Sequence, residues 1–243
     1  MSKVLVTGAG GYIGSICTYL LLQKDHQVVA VDNFSTGYKK PLEVLEDKFG
    51  KENLIIYNLS THDNLSKVFE ENKDIAAIIH FAASALVDES MRDPHKYFNN
   101  NICGTLNLLK FALDYGVKNM VFSSTCAVYG EAEYIPVDEA HPVNPINPYG
   151  LSKRMVEQIL DSYGKLLELK YVTLRYFNVC GASDDGLIGD SKKPSMLLVQ
   201  NAVRGALNLE SFFLTCPEVD TPDKTPIRDY VNVVDLAEAH VKA

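Results

Sequence analysis

Cysteine is scarce in this sequence and shows no grouping. The five cysteines, an odd number among 243 residues, are widely spaced, and no two of them form a Cys-x-x-Cys pair. A disulfide framework and a structural zinc site both need paired or clustered thiols, so the pattern argues against either one. We therefore expect reduced thiols, and we predict no metal site.

Long apolar runs and a surplus of positive charge are missing as well. No apolar stretch approaches the length of a membrane span, and the net charge of −8 provides no basic footprint for nucleic acid. The start of the chain, Met1-Ser2-Lys3, leads directly into a strand-like segment and leaves no room for a signal peptide. These absences favour a cytoplasmic protein that binds neither membranes nor nucleic acid.

What is present is an alternation of short apolar runs with segments of helical periodicity, in a composition that is ordinary for a globular protein. Continuous apolar strands separated by helices are typical of a parallel sheet covered on both faces. We therefore predict an α/β, doubly wound, Rossmann-type fold. The predicted strands are residues 4–6, 28–31, 54–57, 75–79, 120–122 and 171–174, and the clearest predicted helices are 13–22, 65–69, 106–113 and 155–167.

The last part of the chain is less regular. Residues 184–194 have the composition of an exposed loop, residues 196–206 are helix-like, and residues 216–223 are mostly polar and contain proline. The chain ends inside a helical pattern that starts near Val234, with no capping residue after it. We therefore expect residues 181–243 to form a small, incomplete C-terminal region that is cut short.

A glycine-rich turn follows the first predicted strand directly. Gly8, Gly11 and Gly14 stand three residues apart, and Tyr12 and Ile13 lie within the turn. A strand that turns sharply into a helix needs glycine, and the helix N-terminus can then face the negative charge of a pyrophosphate. Such a triplet also fits an ordinary tight turn. The strand before it, the helix after it and an acidic residue after the second strand favour a dinucleotide site formed by these five residues.

That acidic residue is Asp32, 18 residues beyond Gly14. A carboxylate in this position accepts hydrogen bonds from the adenosine ribose hydroxyls and repels a 2′-phosphate, so we predict NAD rather than NADP. A simple strand-end turn residue is the alternative. The other predicted cofactor contacts follow the ends of neighbouring strands: Asn33 beside Asp32, Asn58 and Leu59 after the third strand, and Phe81, Ala82 and Ala83 after the fourth.

A Tyr-x-x-x-Lys arrangement opens the last long predicted helix. Tyr149 and Lys153 are four residues apart and share one helical face. Tyrosine, with a pKa of about 10, is a poor base near neutral pH, but a nearby ammonium group and a positive nicotinamide ring lower that pKa. Thr125 follows the fifth strand, where its hydroxyl can pass a proton between a substrate oxygen and Tyr149. For Tyr149 and Lys153 the alternative is a surface pair on an amphipathic helix, and for Thr125 it is a strand end that caps its own backbone. Ser123 either caps that strand end or contacts the cofactor.

Taken together, these segments resemble the extended short-chain dehydrogenase/reductase family, and within it the UDP-glucose 4-epimerases. The similarity runs along the whole chain, and residues 220–230 are the stretch most like the 4-epimerases. It is carried by residues 7–14, 80–83, 99–101, 104–105, 123–130, 147–153, 175–178 and 228–230.

The resemblance implies reversible 4-epimerisation of a UDP-hexose, UDP-galactose to UDP-glucose, through a 4-keto intermediate with bound NAD. Residues 1–180 would form the NAD-binding domain that carries the catalytic residues, and residues 181–243 part of a substrate-binding region. Tyr149 would remove the proton of the sugar 4-hydroxyl with the help of Thr125. Lys153 would also hold the nicotinamide ribose.

The resemblance further implies a two-chain assembly and contacts along the whole ligand. A homodimer through two helices, residues 94–115 and 149–167, is implied, and fully intramolecular packing of these helices is the alternative. Arg228 would pair with the substrate diphosphate, its alternative being a surface ion pair with a neighbouring Asp. The remaining implied contacts are those of Asn100 and Tyr176 with the cofactor and of Phe177 and Asn178 with the UDP-sugar.

The chain departs from the family pattern at several positions. Ala85 stands where some members have a lysine that reaches the cofactor pyrophosphate, which predicts a weaker cofactor affinity. Cys180 stands in a segment where proline and valine are more usual, and Ser195 and Met196 stand where asparagine and leucine often meet the nucleotide. Because the family continues past Ala243, we expect this chain to hold the chemical centre with an incomplete substrate site.

Other functions stay open. An epimerase or a dehydrogenase of the same fold that acts on UDP-xylose, UDP-glucuronate or a UDP-N-acetylhexosamine is compatible with the same residues. A dehydratase fits less well, because Cys126-Ala127 follows Thr125 where an acid pair is expected. A non-catalytic NAD-binding protein would keep the fold without turnover, and net NADH formation would distinguish a dehydrogenase from an epimerase.

The acid at the end of the second strand leads to a direct binding test. We expect the purified protein to bind NAD more tightly than NADP, because the Asp32 carboxylate repels a 2′-phosphate. Isothermal titration with each dinucleotide measures the two dissociation constants. Tighter binding of NADP would contradict the assignment.

Overall fold

The six predicted strands form a single sheet, in a computed structural model that describes residues 2–193, 195, 197–213 and 219–243. The strands are β1 Lys3–Thr7, β2 Gln27–Asp32, β3 Leu54–Asn58, β4 Ile75–His80, β5 Asn119–Ser123 and β6 Lys170–Leu174. Their order across the sheet is β3-β2-β1-β4-β5-β6, and every neighbouring pair is parallel. The predicted doubly wound, Rossmann-type sheet is confirmed.

Helices connect these strands. They are α1 Tyr12–Gln23, α2 Lys40–Phe49, α3 Ser66–Glu71, α4 Val87–Arg92, α5 Pro94–Phe98, α6 Gly104–Asp114 and α7 Pro148–Leu167, and a π-helical turn, Asn99–Cys103, joins α5 to α6. The four clearest predicted helices are confirmed as α1, α3, α6 and α7. Among the described residues, no helix has both the length and the apolar character needed to cross a bilayer.

The alternation of side chains along β1 divides the core between the two faces of the sheet. Val4 and Val6 belong to the cluster on the face where α1 and α2 pack. Leu5, between them, belongs to the opposite cluster with Leu108 of α6 and Leu160 of α7. All five side chains are buried. With both faces covered, the carboxyl edge of the sheet is the place where a ligand can reach the strand ends.

The last part of the chain adds a second, small sheet. Its elements are β7 Asn178–Cys180, α8 Leu198–Ala206, β8 Tyr230–Asn232 and α9 Val233–Lys242, and β7 pairs in parallel with β8. The helix predicted over 196–206 is confirmed as α8, although Met196 lies outside the described residues, as do residues 216–218 of the predicted polar segment. The helix predicted near Val234 is confirmed as α9. Val233 and Ala237 pack into the core cluster with β1, while the division of the chain at residue 180 stays a prediction.

The exposed loop predicted over residues 184–194 is wrong in its middle. Ile188 is only 3% exposed and packs into the core cluster that contains Val4. Ala182 forms an antiparallel bridge with Gly189 on either side of it. Two adjacent apolar residues, Leu187 and Ile188, between glycines and acidic residues create no periodicity, so the sequence pattern did not reveal this contact.

Candidate active site

The carboxyl ends of the parallel strands open into one long cleft of about 820 Å³. Residues at or just after the ends of β1, β4, β5 and β6 line it on the side of the main sheet, and residues of the small sheet line it as well. Of the predicted site residues, those that line this cleft are Gly8, Gly11, Tyr12, Ile13, Gly14, Phe81, Ala83, Ser123, Tyr149, Lys153, Tyr176, Phe177, Asn178 and Arg228.

A smaller cavity of about 110 Å³ continues the cleft beyond the glycine-rich turn. It shares Gly8, Gly11, Phe81 and Ala83 with the cleft and adds the predicted residues Asp32, Asn33, Leu59, Ala82 and Asn100. In the described part of the chain, Asn58 and Thr125 line neither cavity. Asn58 ends β3 with an exposed side chain beside Asp32, and its predicted adenine contact stays a prediction.

The glycines of the turn are required by close backbone contacts. Gly8 has a φ of +71°, and a Cβ on it would lie 2.6 Å from the backbone nitrogen of Ala82. A Cβ on Gly14 would lie 2.1 Å from the carbonyl oxygen of Gly8, so α1 can start this close to β1 only without a side chain there. The first turn of α1 contains no acidic residue. Its N-terminal N–H groups and the helix dipole therefore provide an anion site that fits a pyrophosphate.

Asp32 is fixed at the rim of the smaller cavity by two backbone groups. The N–H of Gly10 donates to one carboxylate oxygen at 2.9 Å, and the N–H of Phe34 donates to the other at 2.7 Å. Burial raises the pKa of Asp32, and these two hydrogen bonds oppose the rise. Each carboxylate oxygen retains a further lone pair, which is what a ribose diol needs.

The N-terminus of α7 delivers Tyr149 and Lys153 to the cleft. Asn147 caps the helix by accepting a hydrogen bond from the N–H of Gly150 at 2.8 Å. A Cβ on Gly150 would lie 2.5 Å from the carbonyl oxygen of Ala127, so this glycine allows α7 to approach the turn that follows Thr125. The Lys153 ammonium, 3% exposed, donates to the carbonyl of Ser123 at 2.8 Å. The structure thus brings the three predicted catalytic residues together around the end of β5.

Burial shifts the pKa values of the two predicted titratable catalytic groups in opposite directions. It raises the pKa of Tyr149 to about 12, and the interaction with the Thr125 hydroxyl opposes that rise. It lowers the pKa of Lys153 to about 7, and the negative charge of Glu157 opposes that fall. Both effects favour the neutral form. Tyr149 can therefore act as a base only when positive charge gathers beside it.

Glu157, one turn beyond Lys153, supports this centre and was missed from the sequence. It accepts hydrogen bonds from Arg175 at 2.7 and 2.9 Å and from the Ser124 hydroxyl at 2.7 Å. Burial pushes its pKa up, but hydrogen bonds from Arg175 and Ser124 outweigh that effect and hold the pKa below its usual value. The i, i+4 spacing from Lys153 on α7 was the available signal. The ion pair joins α7 to the ends of β5 and β6.

His80 is a second missed residue, at the end of β4. Its two ring nitrogens lie 2.6 Å from the Thr7 hydroxyl and 2.8 Å from the Thr105 hydroxyl. Thr105 donates its own proton to the carbonyl of Asn101, so Nε2 of His80 donates to Thr105 and Nδ1 accepts from Thr7. Burial, helped by the nearby Lys153 charge, lowers the pKa of His80 to about 3. A neutral histidine therefore ties β1, β4 and α6 together beneath the cleft.

The π-helical turn places two asparagines differently. Asn100, the predicted cofactor contact, donates to the Ser84 hydroxyl at 3.1 Å and lines the smaller cavity. Asn101, which belongs to the family-like segment 99–101 but was not predicted as a site residue, is 2% exposed. Its amide bonds the backbone of Ser84 at 2.8 and 3.0 Å and the Ser152 hydroxyl at 2.9 Å, so it holds the loop after β4 against α7. A π-turn of this kind is frequent at functional sites.

The predicted substrate contacts lie on the small sheet and the segment before it. Phe177 is 38% exposed to the cleft, and Asn178 donates to the carbonyl of Asp229 at 3.1 Å. Arg228 donates to the carbonyl of Ile227 at 2.7 Å. Within the ranges that the structure describes, the Arg228 guanidinium forms no ion pair with an Asp, so the alternative of a surface ion pair is not observed. The guanidinium lines the cleft and can bind an anion there.

The departures from the family pattern fall around the same cleft. Ala85 lines it, so the position where some family members have a lysine is indeed a cleft position. Ser195 accepts a hydrogen bond from the N–H of Leu197 at 3.4 Å, and Met196 lies outside the described residues. Among the residues that are described, no three His, Cys, Asp or Glu side chains gather where they could hold a metal ion.

Comparisons with known proteins agree with this geometry. The model of the NAD dependent epimerase/dehydratase family matches residues 4–243. The chain is 43% identical to a UDP-glucose 4-epimerase of Streptococcus mutans, over 99% of this chain and 71% of that protein. It is 38% identical to UDP-arabinose 4-epimerase 1 of Arabidopsis thaliana, over 100% of this chain and 60% of that protein. The structure of the Bifidobacterium longum UDP-glucose 4-epimerase in complex with NAD+ and UDP matches with a TM-score of 0.90 and 38% identity, over 99% of this chain and 73% of that one.

The contact between Gly14 and Gly8 leads to a test of the phosphate turn. We expect Gly14→Ala to weaken NAD binding by at least about tenfold, because its Cβ forces the start of α1 away from β1. Isothermal titration with NAD measures the loss. Gly164→Ala is a matched change in α7, at a residue that lines neither cavity. Its Cβ would lie 3.0 Å from the Tyr171 ring and 3.2 Å from the carbonyl oxygen of Leu169, and the change should leave NAD affinity unchanged. Equal affinities for all three proteins would contradict the role of this turn.

Proposed function

The chain belongs to the NAD dependent epimerase/dehydratase family, and on that premise we propose that it interconverts UDP-galactose and UDP-glucose by epimerisation at C4, with bound NAD. One observation carries the proposal. A single cleft joins an anion-binding helix terminus to Tyr149 and Lys153, with Thr125 beside the tyrosine. A dinucleotide with its pyrophosphate at the helix terminus would lie along this cleft toward Tyr149, where a sugar can meet the tyrosine.

The residues of the two cavities fit NAD. Gly8, Gly11 and Gly14 leave room for a pyrophosphate at the start of α1, and Asp32 offers its carboxylate to a ribose diol. Lys153 has ammonium protons besides the one given to Ser123, and these can reach a second ribose. When bound, NAD supplies the hydride acceptor that takes the C4 hydride and returns it, and its positive ring adds to the charge of Lys153.

Tyr149 moves the proton in this reaction. In the first half, its phenolate takes the proton of the sugar 4-hydroxyl while C4 loses hydride, so two electrons leave the sugar and C4 becomes a carbonyl. Thr125 passes the proton between the sugar oxygen and the phenol. In the second half Tyr149 returns the proton to O4, and the sugar regains hydride on its other face. Over the two halves the sugar loses and regains one hydride and one proton, so no net NADH is expected.

Because Tyr149 and Lys153 are buried, the formation of the Tyr149 phenolate depends on positive charge beside it. The Tyr149 phenol has its pKa raised to about 12 by burial, so the phenolate needs a neighbouring cation to form near neutral pH. Lys153 provides it while its ammonium is anchored on Ser123, and Glu157 opposes the loss of its proton. The phenolate is therefore favoured only in a cleft where positive charge has been assembled.

The substrate side rests on the small sheet and its surroundings. We assign Arg228 to the UDP diphosphate, because its fork faces the cleft, and Asn178 and Phe177 to the sugar end. This assignment makes residues 181–243 part of a substrate-binding region. A second nucleotide sugar, UDP-arabinose, is a candidate because the relative from Arabidopsis thaliana matches the whole chain.

The catalytic role of Tyr149 leads to the main test. We expect Tyr149→Phe to lower kcat by at least about 10³-fold, since it removes the group that carries the proton. Tyr163→Phe on the same helix is the matched control and should retain activity. The assay follows UDP-galactose conversion to UDP-glucose by a coupled enzyme, with NADH absorbance recorded in parallel and UDP-arabinose tested separately.

Conversion without net NADH would agree with an epimerase. Stoichiometric NADH growth from a UDP-sugar would instead make the protein a dehydrogenase. Full activity of Tyr149→Phe would contradict the mechanism.

We further propose a cytoplasmic homodimer through α5–α6 and α7. The described cysteines Cys17, Cys103, Cys126 and Cys180 are free thiols, as expected in a reducing compartment. Apolar side chains lie exposed on α7 and on α4, which packs against it: Leu151 and Met155 at 40%, and Met91 at 61%. A second copy that covers this face would remove it from water.

The dimer is tested by changing that face. We expect Met155→Glu, alone or with Leu151→Glu, to convert a dimer to a monomer, because a charge would be buried in the interface. Light scattering after size-exclusion chromatography measures the mass. Leu207→Glu, exposed outside this face, is the control. A wild-type monomer at micromolar concentration would contradict the proposal.

A further inference from the structure

A short segment after β7 lies along the outer side of α1. We call residues 181–193 the strap. Tyr12 and Tyr19 are seven residues apart on α1 and therefore share one face of the helix. The Tyr12 hydroxyl donates to the carbonyl of Gly181 at 2.6 Å, and the Tyr19 hydroxyl donates to the carboxylate of Asp185 at 2.6 Å. The helix whose N-terminus forms the anion site thus holds the strap with two hydroxyl groups.

The contact at Asp185 is a small network. The Lys48 ammonium at the end of α2 lies 2.8 Å from the Tyr19 hydroxyl and 3.3 Å from the Asp185 carboxylate. The other carboxylate oxygen accepts from the Ser183 hydroxyl at 2.9 Å and from the N–H of Leu187 at 3.1 Å. The hydrogen bond from Tyr19, with those from Leu187 and Ser183, holds the pKa of Asp185 well below its usual range. A charged carboxylate thus binds the strap to α1 and α2.

The strap then continues into the cofactor cleft. Ile188 fills a place in the core, and Gly189, Asp190, Ser191 and Lys192 line the cleft together with the start of α1. The far end is held at 3.2 Å, where the N–H of Lys193 donates to the Tyr38 hydroxyl. The N–H of Tyr38 in turn donates to the carbonyl of Gly10 in the phosphate turn at 2.9 Å. The strap is therefore a wall of the cleft, fastened at its beginning, near Asp185 and at its end.

We propose that Tyr19 and Asp185 are positioning residues that keep the strap closed over the bound cofactor and so slow its release. In the described part of the chain neither residue lines the cleft, so each acts through the strap. The inference rests on the proposed function, in which the hydride returns from the same cofactor molecule that took it. A wall that slows cofactor release supports that reaction, because an early loss of the reduced cofactor would strand the keto sugar.

A positioning role and a purely structural role of Tyr19 and Asp185 predict different effects when the contact is lost. A contact that only stabilises the fold would lower the melting temperature and leave the release rate of the cofactor unchanged. A contact that holds the strap closed would speed release, since the strap would open more often. Because Ile188 remains in the core, loss of the network at Asp185 should loosen the strap without unfolding the domain.

The test measures NADH release from the full chain without any sugar. Protein loaded with NADH is mixed with an excess of NAD, and the loss of bound NADH fluorescence gives the dissociation rate. The variants are Tyr19→Phe, Asp185→Asn and the two combined, and each is also checked by thermal melting. The matched control is Asp114→Asn, which removes an ion pair with Lys110 of 2.6 Å on the remote helix α6.

We expect Tyr19→Phe and Asp185→Asn each to speed release by about tenfold, the effect of losing one hydrogen bond to a charged group. The double variant should be no faster than the faster single one, because both changes break the same contact. Asp114→Asn should match the wild type.

Release rates equal to the wild type in folded Tyr19→Phe and Asp185→Asn would overturn the inference. If Asp185→Asn did not fold, Tyr19→Phe would decide, since it removes only one hydroxyl group. A wild-type chain that binds no NADH would overturn the proposed function as well, whereas unchanged release in variants that bind NADH would overturn this inference alone.

Discussion

The close approach of Gly14 to the carbonyl of Gly8 is the constraint on which the rest of the site depends. It joins the end of β1 to the start of α1 with no space for a side chain between them. The helix terminus therefore faces the carboxyl edge of the sheet, where every strand of the parallel sheet ends. The same placement directs the outer face of α1, with Tyr12 and Tyr19, toward the strap. The close contact between Gly8 and Gly14 thus orients both the anion site at the start of α1 and the face of α1 that holds the strap.

A second constraint is electrostatic. The proposed catalytic pair, Tyr149 and Lys153, is buried, and burial favours a neutral phenol and a neutral amine, which is the opposite of what proton transfer near neutral pH requires. The protein opposes this cost with fixed groups: the carbonyl of Ser123 holds the Lys153 ammonium, and Glu157 supplies a negative charge held in place by Arg175. A cation or an anion bound beside Tyr149 and Lys153 can therefore change which protonation state of the pair is favoured.

Sequence reasoning found the residues that belong to a recognisable spacing and missed those that do not. Gly8, Gly14, Asp32, Tyr149 and Lys153 stand at intervals that the strand-to-helix turn and the helical repeat impose, and the structure places all five at the cleft or its extension. The buried groups between them, His80, Asn101 and Glu157, were missed. The hydrogen-bond partners of His80 and Asn101 come from other strands and helices, and no local spacing reports such contacts. For Glu157 the only local signal was its i, i+4 spacing from Lys153, and its contact with Arg175 joins different elements.

Side-chain periodicity and turn chemistry act over a few neighbouring residues, so the doubly wound sheet, the glycine turn with its acid and the Tyr-x-x-x-Lys helix could be predicted from the sequence alone. The burial of Ile188 and the contacts of Asp185 with Tyr19 and Lys48 become visible only in the folded chain. These contacts join segments more than a hundred residues apart in the chain. Distance along the sequence carries no information about them, and packing of α1, α2 and the strap brings them together.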